Sequence, residues 1–372
     1  MANIEIKLIK EQENFKSIEK HWNQLLEKSP VRSAFLTWTW LYSWWQTYGT
    51  DKKLWIVSVW ENGNLTGLAP LMLETRKKGF SPLNVLVNIG TPQTDAGGFL
   101  FNQDTPHVVN KMIEFILSEK SEWDLLEINT LLSTGQERFA LTQMMNSKEV
   151  FIRIEENEHY FVPLTEDWDS FSKRLSKKFT HNLRRASKLA NELGTVTLQH
   201  FTGEIVVPEL LQQLIDINRN SHFPRLYNSP MEQKLLYELI KNGGNQTNWL
   251  DIYILKINDK PIAYEYGFVY EKRFESWRSG FDTNIPQQIS VGKLLSMKVF
   301  EACIREEYHE VDFLRGDEAY KLEWKPEKKQ YCNIRLFNRK TLQGVLSYHW
   351  LQNAKPLLRR VRKIARKNGS NE

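Results

Sequence analysis

An apolar, aromatic run ends at Ser276-Trp277-Arg278-Ser279-Gly280-Phe281-Asp282, and Gln287-Gln288-Ile289-Ser290-Val291-Gly292-Lys293 follows before a second apolar run. A loop that opens a helix just past a strand leaves the first backbone N–H groups unpaired at the positive end of the helix dipole, which suits a pyrophosphate. Ser290 predicts an N-cap, and Gly292 permits close approach of a ligand. A second group of reactive side chains follows the apolar strand residues Asp312-Phe313-Leu314. There Arg315, Tyr320, Lys321 and several carboxylates emerge together, and loops at the carboxyl ends of strands commonly carry sites. The histidines at 107, 159, 200, 222 and 309 lack metal-ligand spacing, so no metal is expected. No G-x-S-x-G and no Cys/His pairing points to a covalent nucleophile. Trp38, Trp40, Trp44 and Trp45 could stack on a sugar, although aromatic residues at helical spacing more often form core.

Periodicity places the elements that hold these residues. Helices are expected near Ser17–Leu26 and Trp38–Tyr48. Strands at Leu54–Trp60 and Leu65–Leu73 flank Asn62-Gly63, a type I′ hairpin signal. Strands at Asn84–Asn88 and Gly98–Phe101, a helix at His107–Ser118, a strand at Leu125–Asn129 and a helix at Gln136–Met145 complete a first domain over 1–165. Apolar residues from Phe171 to Leu193 then recur in steps of three and four, with Gly194 at the expected C-cap and seven cations between Lys173 and Lys188. That pattern fits a solvated basic face over a packed stripe, or a surface for a phosphate-bearing ligand.

The second domain, 166–345, reads as helices at Val207–Asn218 and Met231–Asn242. A meander follows (Leu250–Ile257, Pro261–Tyr270, Arg273–Phe281), then a helix at Val291–Arg305, strands at Glu310–Leu314 and Asn333–Phe337, and a helix at Leu342–Leu351. A meander feeding a βα crossover makes a mixed sheet. The similar order in both halves suggests two related units.

Ser279-Gly280-Phe281-Asp282, Ser290-Val291-Gly292, Asp312-Phe313-Leu314-Arg315-Gly316 and Tyr320-Lys321 together resemble GNAT-superfamily acetyltransferases of the CelD/BcsL type, named for a cellulose-biosynthesis context and similar to Fem-type peptidyltransferases. Phe35 to Leu41 with Trp44-Trp45, Gly67-Leu68-Ala69-Pro70-Leu71, and Lys177-Lys178 through Arg184-Arg185 to Gly194 fit as well. The resemblance spans roughly Trp22 to Phe337. It implies an α/β (α+β) chain of two tandem GNAT-like domains, each a mixed, mostly antiparallel sheet flanked by helices. It also implies acetyl-CoA, or another acyl-CoA, as co-substrate. Gln287 to Gly292 matches the family phosphate loop Q/R-x-x-G-x-G/A, with Ser290 in place of the first Gly.

On that footing the amides of Val291, Gly292 and Lys293 would hold the pyrophosphate, with Lys293 adding charge. Asp282 or Glu265 would take the acceptor proton, since acyl transfer to an amine needs a base within reach. Tyr320 would protonate the departing thiolate, Lys321 or Arg315 would stabilise charge, and Asp95 would meet the acceptor from the first domain. The expected acceptor is a sugar, amino sugar or cell-envelope polysaccharide precursor. Two rivals stand beside this reading: a Fem-like transferase using aminoacyl-tRNA, and an inactive GNAT-fold assembly factor.

The chain has 372 residues, 50 Lys+Arg against 45 Asp+Glu. Seven cations and no acid fall between Lys355 and Lys367; without them 43 cations face 45 anions, so the basic balance belongs to a tail over 346–372. Nucleic acid is therefore not an expected partner outside the tRNA reading. Trp350, Ala354, Leu357, Leu358, Val361 and Ile364 recur at helical spacing among those cations, as in a basic amphipathic helix that lies on an anionic membrane surface. No run approaches the ~20 apolar residues of a membrane span and no signal-peptide h-region opens the sequence, so a cytoplasmic protein is expected, peripheral at the inner membrane face if the tail engages lipid. Cys303 and Cys332 are expected as buried thiols.

Overall fold

Asn62 and Gly63 both take positive φ, 49° and 81°, as a type I′ turn requires. They join β2 (Lys53–Glu61) to β3 (Asn64–Lys78). The computed structural model describes residues 3–78, 81–143, 148–202, 207–243 and 249–354. It divides into two compact units, one made of 1–31, 51–156 and 332 onward, the other of 32–50 and 157–331.

In the first unit β1 (Ile4–Ile9) pairs with β2, and β3 pairs with β4 (Ser81–Asn88), all antiparallel, while β5 (Leu100–Phe101) adds to β3. The helix His107–Ser118 leads to β6 (Leu125–Leu132), which pairs with β4 in parallel. The first part of β7 (Val150–Pro163) also belongs to this unit. Trp55, Leu71, Leu86, Phe99 and Ile128 are among the residues that fill its core.

The second unit repeats the order. β8 (Val196–Phe201) and helices precede the antiparallel meander β9 (Leu250–Ile257), β10 (Lys260–Tyr270) and β11 (Arg273–Phe281). The helix Val291–Arg305 leads to β12 (Glu310–Arg315), parallel to β11, and then to the start of β13 (Glu327–Asn338), whose residues from Cys332 on belong to the first unit. Each unit is thus a mixed, mostly antiparallel sheet flanked by helices. In the second unit Trp324, in the turn before β13, stacks on Phe300 with ring centres 4.3 Å apart and stands edge-on to Phe179, tying two helices to each other.

The unit boundaries differ from those expected at 165/166 and 345/346. Residues 32–50 join the second unit because Glu275 Oε2 accepts from Ser33 Oγ (3.0 Å) and from the Ala34 amide (3.2 Å). Trp40 packs edge-on against Phe268 and Trp277, and Asn242 donates to Ser43 Oγ at 2.8 Å. The tryptophans of Trp38–Tyr48 are therefore buried core and offer no face to a sugar. β1, β7 and β8 are not among the expected strands, although β1 and β8 alternate apolar with polar residues as a half-buried strand does.

The basic helical stretch is two helices, Trp168–Arg174 and Lys177–Leu193, since Ser176 caps the second by accepting from the Phe179 amide. Gly194 is not a left-handed cap. Its φ is 156°, and Asn258 closes the helix end by donating to the Leu193 carbonyl at 3.1 Å. Both cysteines are buried thiols. The tail from residue 355 lies outside the described residues.

Candidate active site

Glu265 on β10 stands opposite Ser279 on β11. Past Tyr266 the register slips, so that Gly267 faces Ser276 and Trp277 is the extra residue. A bulge re-aims side chains. Here it brings Ser276 Oγ to Glu265 Oε1, to which it donates at 2.6 Å. Glycine is required at 267, because a Cβ would collide with the Glu275 carbonyl oxygen.

β11 and β12 pair at Arg273↔Glu310, Phe274↔Val311 and Glu275↔Asp312. β11 then runs on to Phe281, while β12 enters its own bulge, where Leu314 takes φ 59° and donates its amide to Asp312 Oδ1 at 2.7 Å. Beyond the shared pairs a cavity of about 440 Å³ opens. Its walls are Glu265, Ser279 and Phe281 from the sheet, Asp282 and Gln287 from the loop, and Ser290, Val291, Gly292 and Lys293 from the helix start. Tyr320, Glu323 and Trp324 close another side.

The helix start is open, though not as expected. Ser290 has φ 50° and ψ 56°, and its side chain caps nothing. A side-chain N-cap uses extended backbone, so the left-handed residue forfeits it. Lys293 donates its amide to the Ser290 carbonyl at 2.9 Å, so it is not available to a ligand. The amides of Val291 and Gly292 make no hydrogen bond among the described residues. The Lys293 ammonium is paired with Glu323 at 2.8 Å and lies 5.2 Å from the Phe179 ring centre.

Because a non-glycine residue at left-handed φ is strained by about 1–2 kcal/mol, Ser290→Gly is expected to leave the fold as stable or more stable, by up to about 1 kcal/mol once glycine's extra unfolded-state entropy is counted. Chemical denaturation checks this; a marked loss of stability would show that the hydroxyl is held after all.

Burial pushes the Glu265 carboxyl up to about 7, against the opposing pull of the Ser276 hydroxyl. Tyr320 is 45% exposed, and partial burial, followed by the Glu265 and Glu318 carboxylates, raises its hydroxyl above the ordinary phenol value. Asp282 fixes the loop at the cavity rim, where its Oδ1 accepts from the Asn284 amide (2.9 Å) and from Asn284 Nδ2 (2.8 Å).

Three expected site residues lie outside the cavity. Lys321 is buried and donates to the Arg315 carbonyl at 2.7 Å, with Glu318 as its ion partner at 2.9 Å. It follows Tyr320 on the short helix Ala319–Leu322, so the turn that points Tyr320 at the cavity points Lys321 at the loop. Arg315 is exposed and contributes nothing to the cavity wall. Asp95 is buried in the first unit.

The loop around Asp95 lies against β6 beyond the last β4–β6 pair, Val87↔Glu127. The Gly97 amide donates to the Thr130 carbonyl at 2.9 Å, and Phe99 and Phe101 are fully buried. Where the second unit has a cavity past its parallel pair, the first has its own packed loop. Sequence reasoning gave no role to Ser276 or Trp324. Ser276 sits in the quoted run, but a bulge leaves no mark in composition.

Residues 177–322 match the acetyltransferase (GNAT) domain family. The fold is that of the GNAT acyltransferases. FemX is similar at 8% identity and TM-score 0.59, with 88% of this chain and 96% of that one covered. L-PGS from Bacillus licheniformis is similar at 12% identity and TM-score 0.54, covering 89% and 94%. A tandem GNAT protein from the clavulanic acid biosynthesis pathway is similar at 11% identity and TM-score 0.50, covering 90% and 98%. No curated protein matches the chain. Among the described residues no group of three or more His, Cys, Asp or Glu could hold a metal ion, and no helix is long and apolar enough to cross a membrane.

Proposed function

We propose that the chain is an acyl-CoA-dependent acyltransferase of the CelD/BcsL type, acting on an amino or hydroxyl group of a sugar or cell-envelope polysaccharide precursor. The observation that carries the reading is one cavity holding both an uncapped helix start and a buried carboxyl poised near neutrality. The Val291 and Gly292 amides would receive the donor's diphosphate, with Lys293 exchanging Glu323 for a phosphate oxygen.

Glu265, as the anion, would accept the proton of the acceptor while the acceptor atom bonds to the thioester carbonyl carbon. The C–S bond then breaks, and Tyr320 would supply the proton that turns the leaving thiolate into a thiol. The phenol is protonated at neutral pH, as donation requires, and its raised pKa makes it a weaker acid toward the thiolate than an unshifted tyrosine. The surroundings suit those roles: Ser276 orients one Glu265 oxygen, and Asp282 holds the loop rim.

Acetyl-CoA is expected to raise the melting temperature, and Gly292→Asp to abolish that shift without unfolding the protein. A Cβ at 292 meets Phe281 at an ordinary 3.4 Å, and an acid in the first helical turn favours the helix while repelling a diphosphate. No shift at saturating acetyl-CoA would remove the acyl-CoA reading.

One observation favours the aminoacyl-tRNA alternative. Lys177, Lys178, Arg184, Arg185 and Lys188 are all exposed or half-buried on the helix whose Phe179 packs on Trp324 at the cavity wall. Steeply salt-dependent binding of aminoacyl-tRNA, with acetyl-CoA inert, would select it.

A further inference from the structure

The helix Leu342–His349 has two unlike faces. One is anchored. Gly344 is buried so closely that a Cβ would strike the Asn338 carbonyl oxygen, and Tyr348 stacks on Phe151 with ring centres 4.2 Å apart and 8° between planes. The other face is apolar and uncovered. Leu342 is 68% exposed, Leu346 57% and Trp350 44%, each four residues from the last. Scattered exposed hydrophobics need no explanation, but a stripe at helical spacing does.

The sequence carries the same pattern onward. Ala354, Leu357, Leu358, Val361 and Ile364 continue the spacing from Trp350, and Lys355, Arg359, Arg360, Arg362, Lys363, Arg366 and Lys367 fall between them with no acid.

We propose that the Leu342–Leu346–Trp350 face and the basic segment after it together form a docking surface for an anionic lipid bilayer. Charge complementarity selects that occupant. Seven cations without an acid repel a second copy of themselves, and an apolar stripe beside them has no use for a nucleic-acid backbone. A bilayer with acidic headgroups satisfies both halves. Lasting membrane attachment generally takes two signals, and this surface has them: apolar insertion and a polybasic patch. Trp350 suits the boundary, where an indole meets headgroups on one side and acyl chains on the other. The proposal stands apart from the acyl-transfer reading, since it uses no cavity residue.

The test is sedimentation of the full chain with vesicles of phosphatidylcholine alone or of equal parts phosphatidylcholine and phosphatidylglycerol. The protein is expected to partition onto the anionic vesicles and to leave the neutral ones. Raising NaCl from about 0.1 M to about 1 M, which shortens the screening length from about 10 Å to about 3 Å, is expected to weaken binding about tenfold or more. Leu346→Glu is expected to weaken it about tenfold at low salt. Because Leu346 is exposed, that variant should keep its melting temperature. Combining Arg359→Gln, Arg360→Gln, Arg362→Gln and Lys363→Gln should abolish the preference for phosphatidylglycerol. Equal partition onto both vesicles, no partition, or Leu346→Glu binding like the unmodified chain would each overturn the proposal. So would tail-dependent RNA binding, or a dimer lost in Leu346→Glu, if either occurs without vesicle binding.

Discussion

Glu265→Gln is expected to lower kcat/KM by about 10²- to 10⁴-fold, the usual contribution of a positioned general base. The pH profile makes the result specific. With the Glu265 carboxyl at about 7 in the folded protein, the rate should rise with pH through about 7 and then level off, because the base must first lose its proton. Glutamine removes that limb and leaves only the titration of the acceptor. The loss cannot be ascribed to unfolding, since a buried carboxyl raised by burial is a burden on the fold once ionised, and glutamine does not ionise. Ser276→Ala supplies the companion result. It deletes the hydroxyl that donates to Glu265 Oε1 and lowers its pKa, so the limb should move upward in pH while the plateau rate changes little. An unchanged limb in Glu265→Gln would take the base role away from Glu265. Asp282, already engaged by Asn284, would then have to be tested in its place.

The helix start, the loop before it and the meander were legible because each rests on local chemistry. Asn62-Gly63, the apolar periodicity of Val291–Arg305 and the loop ahead of it are written in consecutive residues. The cavity gathers Glu265, Asp282, Gln287, Ser290, Val291, Gly292, Lys293 and Tyr320 because the parallel pairing of β11 and β12 stops after Glu275↔Asp312. That stop is a tertiary fact. The same holds for Lys321: its residue type suited charge stabilisation, but only the fold decides that its ammonium serves the Arg315 carbonyl.

Ser290 shows the limit most clearly. Its type says cap, yet its backbone is left-handed, a conformation that favours glycine. The placement of 32–50 in the second unit was hidden for a different reason. The contact that fixes it, Ser33 to Glu275, joins residues 242 apart in sequence.

In the first unit, Glu137→Gln is expected to make the protein more stable by about 3–4 kcal/mol at pH 8 and by only about 1 kcal/mol at pH 5. Glu137 is almost wholly buried, and neither carboxyl oxygen has a hydrogen-bond partner at full bonding geometry. Burial pushes the carboxyl up to about 7, with the nearby backbone amides of Glu137 and Phe99 favouring the anion too weakly to offset it.

The sign follows from which state holds the proton more tightly. In the unfolded chain Glu137 titrates near the ordinary glutamate value of about 4.3; in the folded protein it titrates higher. Its contribution to stability is therefore fully present below the unfolded value and is lost as pH rises through about 7. Each unit of separation is worth about 1.4 kcal/mol, which sets the size of the expected gain. Glutamine keeps the shape and cannot ionise, so the difference between variant and parent should open between pH 5 and pH 8. Denaturant midpoints measured at both pH values check this. A difference equal at both would mean that the carboxylate is satisfied within the packed loop, and that the polar atoms around Gly97 and Gly98 solvate it better than their distances indicate.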